Sequence, residues 1–418
     1  MKSRTARRSL IALATALACA AANGQQTLKT AFIDQLSGPL GDVGELMQKH
    51  LQFAVDDINA KGGMLGGMKM ELLSFDNKLS AQEAQIAFKS AVDAGVKVIF
   101  TGGSGSSVVA ALIEAANKHN ERNPDRAVLI VNHSSIDPDL TGKNCSFWHF
   151  AVEANTAMKM KALTNFMKET KDIKKVFLLN QDYAHGRAWA KHGREMLAVA
   201  RPDVQIVGED FHPIGKVKDF APYVTKIRAT GADTVITGNW GADLNLLLKA
   251  AGESGANLRF FNHSAGSVPG TATAVAQART GRLTWVAEWH GNVDNPGVNA
   301  LAEAYRKRYN RAFLAPRIDM APRLIAAAVD QAKSADPVKI ALALESMSYP
   351  SLVGEVRIRK EDHQALLPQT VSTLAPVDGK TVKTGAEGTN IGFHTDAVFA
   401  GKDLALPGEC RMTRPLGI

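Results

Sequence analysis

The chain has 418 residues, 45% hydrophobic and 22% charged, with 49 Lys and Arg against 41 Asp and Glu, a formal charge of +8. At roughly 100 to 200 residues per domain, this length makes two domains the expectation. Aromatics are only 6%, and the basic residues are interleaved with acids as on solvated faces, which excludes a nucleic-acid partner.

The first 24 residues read as a cleavable signal peptide. Lys2, Arg4, Arg7 and Arg8 form a basic start without acids, Leu10 to Ala18 is an apolar run too short to span a bilayer, and Ala20 to Gly24 offers small residues for cleavage. Cys19 is a poor lipoprotein cysteine, because Ala16 stands where a large aliphatic residue is expected, and Arg7-Arg8 is a weak twin-arginine signal. Without the leader's four basic residues, 45 basic face 41 acidic ones, a net of +4. No later run reaches the ~18 apolar residues of a membrane span, so the mature chain is expected to be soluble. Its two cysteines, Cys145 and Cys410, are a disulfide candidate in an oxidising compartment; two buried free thiols are the alternative.

Strand-like segments follow at Leu28–Ile33, Met70–Phe75, Val96–Thr101, Ala127–Asn132, Lys175–Asn180, Val204–Asp210, Asp233–Gly238 and Arg259–Asn262. Helical patterns lie between them. Met47, Leu51, Ala54 and Ile58 keep the spacing of one buried face that Gly62-Gly63 ends, and Phe220, Val224 and Ile227 repeat it. This alternation predicts an α/β fold of doubly wound parallel sheets, and the nearly continuous apolar runs (VKVIF, AVLIV, KVFLL) suit strands buried on both faces. Two similar blocks meet at Phe147–Val152, read as a strand crossing between lobes. Further crossings are expected near Trp285–His290 and Arg359–Gln369, with helices at about 298–310, 318–334 and 336–347. The expected division is therefore lobe 1 at 25–148 and 290–358, lobe 2 at 149–289 and 359–376, and a wrapped extension at 377–418.

Enzyme motifs fail in turn. Gly102-Gly103-Ser104-Gly105-Ser106-Ser107 follows a strand and opens a helix, but it lacks the spacing of dinucleotide and P-loop sites and of the serine nucleophile elbow. Flexible glycines at a positive helix end remain a cradle for a carboxylate or phosphate, or a plain turn. His133, His149, His185, His263 and His290 fall at strand ends without metal-ligand spacing, so no metal and no cofactor is expected.

In order along the chain, Ser37-Gly38-Pro39, Ala54–Gly63 (AVDDINAKGG), Phe75-Asp76, the turn at 102–107, Ser134–Thr141 (SSIDPDLT), Asp182–Arg187 (DYAHGR) and Asp219-Phe220 resemble the periplasmic solute-binding proteins of the Leu/Ile/Val type, which serve ABC importers. The resemblance covers about 28 to 375. It implies a periplasmic monomer of two doubly wound lobes on three hinge strands, closing on a small ligand and docking a membrane ABC permease. Its carboxylate holders would be Ser104, Gly105, Ser134, Ser135 and Ile136, with His185, Asn239, Trp240 and Ser264 contributed by the second lobe. The acid that takes the α-ammonium in amino-acid binders is missing around Ser264, Val43 replaces an early pocket aromatic, and Asp34 or Glu288 are the remaining sources of a carboxylate. Losing the ammonium partner points toward an aromatic or other organic acid. The expected function is therefore a non-enzymatic binding subunit for a small carboxylate-bearing ligand, amino acid or organic acid. A sensor subunit of the same fold and an exported α/β hydrolase are the rivals.

Overall fold

The computed structural model describes residues 27–278, 282–415 and 417; the expected leader, with Cys19 and its cleavage site, lies outside the described residues. No described helix is long and apolar enough to cross a membrane.

The first half of the chain forms a five-stranded parallel sheet from β1 (Thr27–Asp34), β2 (Lys69–Asp76), β3 (Val98–Thr101), β4 (Leu129–Asn132) and β5 (His149–Ala151), in the order β2-β1-β3-β4-β5. Helices α1 (Gly41–Ala60), α2 (Ala81–Asp93) and α3 (Ser106–Arg122) connect its strands. The apolar stripe read from the sequence is the buried face of α1: Met47, Leu51, Ala54 and Ile58 are all in the core. Each such large side chain contributes about 2 kcal/mol of burial. The glycines that end the helix are required there, since Gly63 has φ +75° and a Cβ would sit 2.1 Å from the Met68 carbonyl oxygen.

The same winding repeats in α4 (Thr156–Met167), β6 (Lys175–Gln181), α5 (Ala184–Ala200), β7 (Gln205–His212), α6 (Ala221–Ala229), β8 (Thr234–Ile236), α7 (Ala242–Glu253), β9 (Arg259–Asn262), α8 (Thr271–Ala278) and β10 (Leu283–Ala287). Beyond β10 the chain returns to the first sheet: of α9 (Pro296–Tyr309), α10 (Pro316–Ala332) and α11 (Pro337–Ser346), α10 packs on α1 and α11 on α10. A small antiparallel sheet follows, from β11 (Ser348–Ser351), β12 (Gly354–Ile358) and β13 (Ala365–Leu366). The chain then enters the second sheet as β14 (Gln369–Pro376) and β15 (Ile391–Phe399), before a short α12 (Gly401–Leu404). The second sheet runs β15-β14-β10-β9-β8-β6-β7, parallel except for β14 and β15.

Two boundaries differ from expectation. Residues 149–151 pair with β4, so the last strand of the first sheet extends beyond 148. The segment after 376 is not only a wrapping extension, because β15 adds a full antiparallel strand to the second sheet. Its alternation is masked by Gly392 and polar His394, Thr395 and Asp396, as suits an edge strand. The remainder of the tail is held to the first half by the Cys145–Cys410 disulfide, with Cα atoms 5.6 Å apart, and by Arg414, which pairs with Glu345 and lies over the Phe147 ring.

Strand order reverses between β1 and β3 in one sheet and between β6 and β8 in the other. At such switch points the flanking turns leave in opposite directions and open a crevice at the carboxyl ends of the strands.

A candidate ligand site between the two sheets

In the first sheet, the turns after β3 and β4 pack backbone against backbone. Gly102 has φ +143°, and a Cβ there would lie 2.6 Å from Ser134 N, so only glycine fits. Ser135 Oγ donates to the Gly102 carbonyl (2.7 Å), and Asn132 Oδ1 accepts from Ser135 N (2.8 Å) and Ser134 N (3.3 Å). Asp34, at the end of β1, clamps the glycine turn from below: its carboxylate accepts from Gly103 N (2.8 Å), Ser104 N (2.5 Å) and Ser104 Oγ (2.6 Å). Burial pushes the Asp34 carboxyl up to about 6, against these hydrogen bonds.

This clamp corrects one expectation. The Ser104 hydroxyl faces Asp34, Gln35 and Asn77 beneath the turn and does not line the cavity; the buried carboxylate outcompetes any ligand for its proton. Gly105 and Ser106 line the cavity in its place. Ser106 Oγ accepts from Asp137 N (3.2 Å), which leaves its proton free to donate, and among the described residues the Ser106 and Ser107 amides that open α3 have no partner, whereas Val108 N bonds back to the Gly105 carbonyl (3.1 Å). Ser134, Ser135 and Ile136 line the cavity, although the Ser135 hydroxyl is spent on Gly102.

In the second sheet, Tyr183 and His185 come from the β6–α5 turn, Trp240 from the β8–α7 turn, and His263 and Ser264 from the β9–α8 turn. Trp240 Nε1 donates to Tyr183 Oη (2.9 Å), which fixes the two rings as one wall; burial pushes the Tyr183 phenol up. His263 Nε2 lies 3.2 Å from the Gly238 carbonyl and 3.0 Å from His185 Nε2. A carbonyl only accepts, so His263 carries its proton on Nε2 and His185 accepts there. His185 Nδ1 then donates to Thr156 Oγ1 (2.8 Å), whose own proton goes to the Ile136 carbonyl (2.8 Å). This chain joins the second sheet's turns to the first sheet's. Burial lowers both imidazoles, His185 to about 3 and His263 well below its ordinary value, so both are neutral at pH 7.

Asn239 is the second correction. Its side chain accepts from His212 Nε2 (3.0 Å) inside the lobe, its carbonyl takes Asn262 Nδ2 (2.8 Å), and it does not line the cavity. Ser264 does, with its amide tied to Asn262 Oδ1 (2.7 Å). Val43, from α1, also lines it.

Where the chain passes between the sheets, a buried charge cluster closes the cavity. Glu153 follows β5, Glu288 follows β10, Lys159 lies in α4 and Arg317 in the first turn of α10. Glu153 pairs with Lys159 (2.7 Å) and Arg317 Nε (2.7 Å), Arg317 Nη1 holds Glu288 (3.0 Å), and Nε reaches the His133 carbonyl (3.0 Å). Burial raises Glu153 despite Arg317 and Lys159; at Glu288 the same cations outweigh burial and hold it below the usual range. Arg317 and Glu153 line the cavity, and sequence reasoning singled out neither. The legible signal for Glu153 was a carboxylate just past an expected crossing strand. Arg317, which the fold brings in from far along the chain, had none. Of the two proposed spare carboxylates, Asp34 is consumed by the glycine turn and Glu288 by Arg317.

The cavity encloses about 460 Å³ of empty space including its open mouth. Two doubly wound sheets whose strand-end turns face each other across one polar and aromatic cavity define a ligand-binding protein of the two-lobed type. The chain belongs to the periplasmic binding protein family, whose profile matches residues 27–381. It is 30% identical over 416 residues to the Leu/Ile/Val-binding protein homolog 4 of Brucella abortus, covering 96% of each chain. It is similar, with a TM-score of 0.82 and 29% identity over 93% of this chain and 100% of the other, to a closed leucine-, isoleucine-, valine-, threonine- and alanine-binding protein from Brucella ovis. It shares its fold, with a TM-score of 0.75 at 16% identity over 90% of this chain and 98% of the other, with an ABC-transporter solute-binding protein from Rhodopseudomonas palustris in complex with 3,4-dihydroxy benzoic acid.

Proposed function

We propose that this protein is the periplasmic substrate-binding subunit of an ABC importer, which closes two lobes over a small carboxylate-bearing ligand and delivers it unchanged to the membrane permease. The observation that carries this reading is one cavity walled by strand-end turns of both sheets, Gly105–Ser106 and Ser134–Ile136 on one side and Tyr183, Trp240 and His263 on the other. A ligand touching both sides binds the closed arrangement better than the open one, and that difference drives closure. The Ser106 and Ser107 amides at the uncapped start of α3 and the Ser106 hydroxyl suit a carboxylate. Leucine, isoleucine and valine, in the names of the Brucella relatives, all carry one. The lobes are the expected divisions, amended so that β5 stays with the first and β15 with the second.

The test is a thermal-shift screen of refolded, ligand-stripped mature protein against amino acids and against aromatic and aliphatic acids. A ligand at about 100 times its Kd adds about 2.7 kcal/mol, a readily measured rise in Tm. No response to any carboxylate-bearing compound overturns the reading.

A further inference from the structure

We infer that Arg317 forms a second ligand-binding end of the cavity, which takes an oxygen acceptor and selects small keto or dicarboxylic acids over amines and plain monocarboxylic acids. The inference rests on the proposed binding of a carboxylate at the start of α3 and names what the rest of the ligand must carry.

The donors and acceptors of the buried cluster carry it. A guanidinium has five N–H groups. Arg317 is 5% exposed, yet it lines the cavity. Its Nε and Nη1 are engaged by His133, Glu153 and Glu288, whereas Nη2 has no hydrogen-bond partner among the described residues and is not among the atoms sealed from solvent. Both carboxylates are already paired with buried cations. Glu153 has Lys159 on Oε1 and Arg317 on Oε2, and both oxygens of Glu288 face Arg317 Nη1, at 3.0 and 3.3 Å. Two cations and two anions cancel, so the spare capacity at the cavity wall is a donor on a positively charged group. A ligand oxygen completes the guanidinium without disturbing either pair. A ligand ammonium placed at Nη2 instead meets the guanidinium's own N–H groups, a like-charge contact that is costly in a buried wall.

Arg317 also joins three parts of the chain that meet between the sheets: His133 after β4, Glu153 after β5 and Glu288 after β10. An acceptor bound at Nη2 is therefore held by a group anchored on two of the segments that connect the lobes.

The test is isothermal titration of ligand-stripped mature protein with two matched sets: leucine, its α-keto analogue and the plain acid of the same skeleton; then succinate against butyrate. In the wild type, at least one of the α-keto acid and succinate binds about tenfold or more tighter than its matched plain acid, and leucine is the weakest of its set. Arg317→Lys keeps the charge but loses the planar fork, and the preference shrinks to within about threefold. Leucine binding tightest, equal affinities within each pair, or a preference unchanged in Arg317→Lys overturns the inference while leaving the carboxylate site standing. If no acid of any kind binds, the proposed function itself falls. The wild-type ranking decides the matter even if the variant does not fold.

Discussion

Asp34→Asn offers a clean measurement, because the buried carboxylate both organises the glycine turn and resists its own ionisation. In the folded protein its carboxyl titrates at about 6, against 3.8 for an ordinary aspartate, with burial as the leading cause. A folded value above the unfolded one means that the folded state holds the proton more tightly. The associated stability is fully present below about pH 3.8 and is lost as pH rises through about 6. The gap corresponds to about 3 kcal/mol, with no discount for solvent since the group is wholly buried. Asparagine cannot titrate, so the difference in unfolding free energy between the wild type and Asp34→Asn isolates this group from every other. The wild type's advantage should be largest at about pH 3 and below, and smaller by about 3 kcal/mol near pH 7. Urea unfolding of both ligand-free proteins at matched pH provides the measurement. A flat difference, or a wild-type advantage that grows with pH, would show that the hydrogen bonds from Gly103 and Ser104 outweigh burial and would refute the reasoning.

Three other outcomes are expected. Trp240→Ala removes a cavity wall and the partner of Tyr183 Oη, and should weaken ligand binding by at least about 1 kcal/mol in titration calorimetry; unchanged affinity would make the ring structural only. Replacing Cys145 and Cys410 by serine opens a loop spanning a sequence separation of 265 and should cost about 2–5 kcal/mol in denaturant unfolding; an unchanged midpoint would show that the tail contributes little. Gly102→Ala should destabilise by more than about 1 kcal/mol and weaken binding as well, since its Cβ would press the turn that carries Ser134–Ile136; wild-type affinity in that variant would place the turn outside the ligand's reach.

Much of this architecture is written in local pattern. The apolar runs that form β3, β4 and β6 and the stripe on α1 set the parallel, doubly covered sheets, because period and continuity of hydrophobicity are properties of neighbouring residues. The glycine run after β3 was legible in the same way, whereas Ser134–Ile136 after β4 was read only through the family resemblance; the two turns meet because β3 and β4 are neighbours in the sheet. β15 was not legible, since an edge strand with one exposed face needs no strong pattern and finds its partner only when β14 is in place.

The site's polar chemistry was decided elsewhere. Ser104 and Ser106 are two residues apart in one turn, and composition gives no reason to prefer either. Only the position of Asp34 turns one hydroxyl inward and leaves the other for the cavity. Asn239 and Trp240 are adjacent, yet His212 captures the first while the second faces the ligand space. Arg317 lies far from every site motif and reaches the cavity because α10 returns to the first sheet beside the crossings. The sequence by itself determined the alternation of strands and helices, the parallel winding and the glycine turn after β3, since burial of apolar surface is short-range information. Which donors remain free at those rims is set by competition among buried hydrogen-bond partners, and the tertiary structure alone brings those partners together.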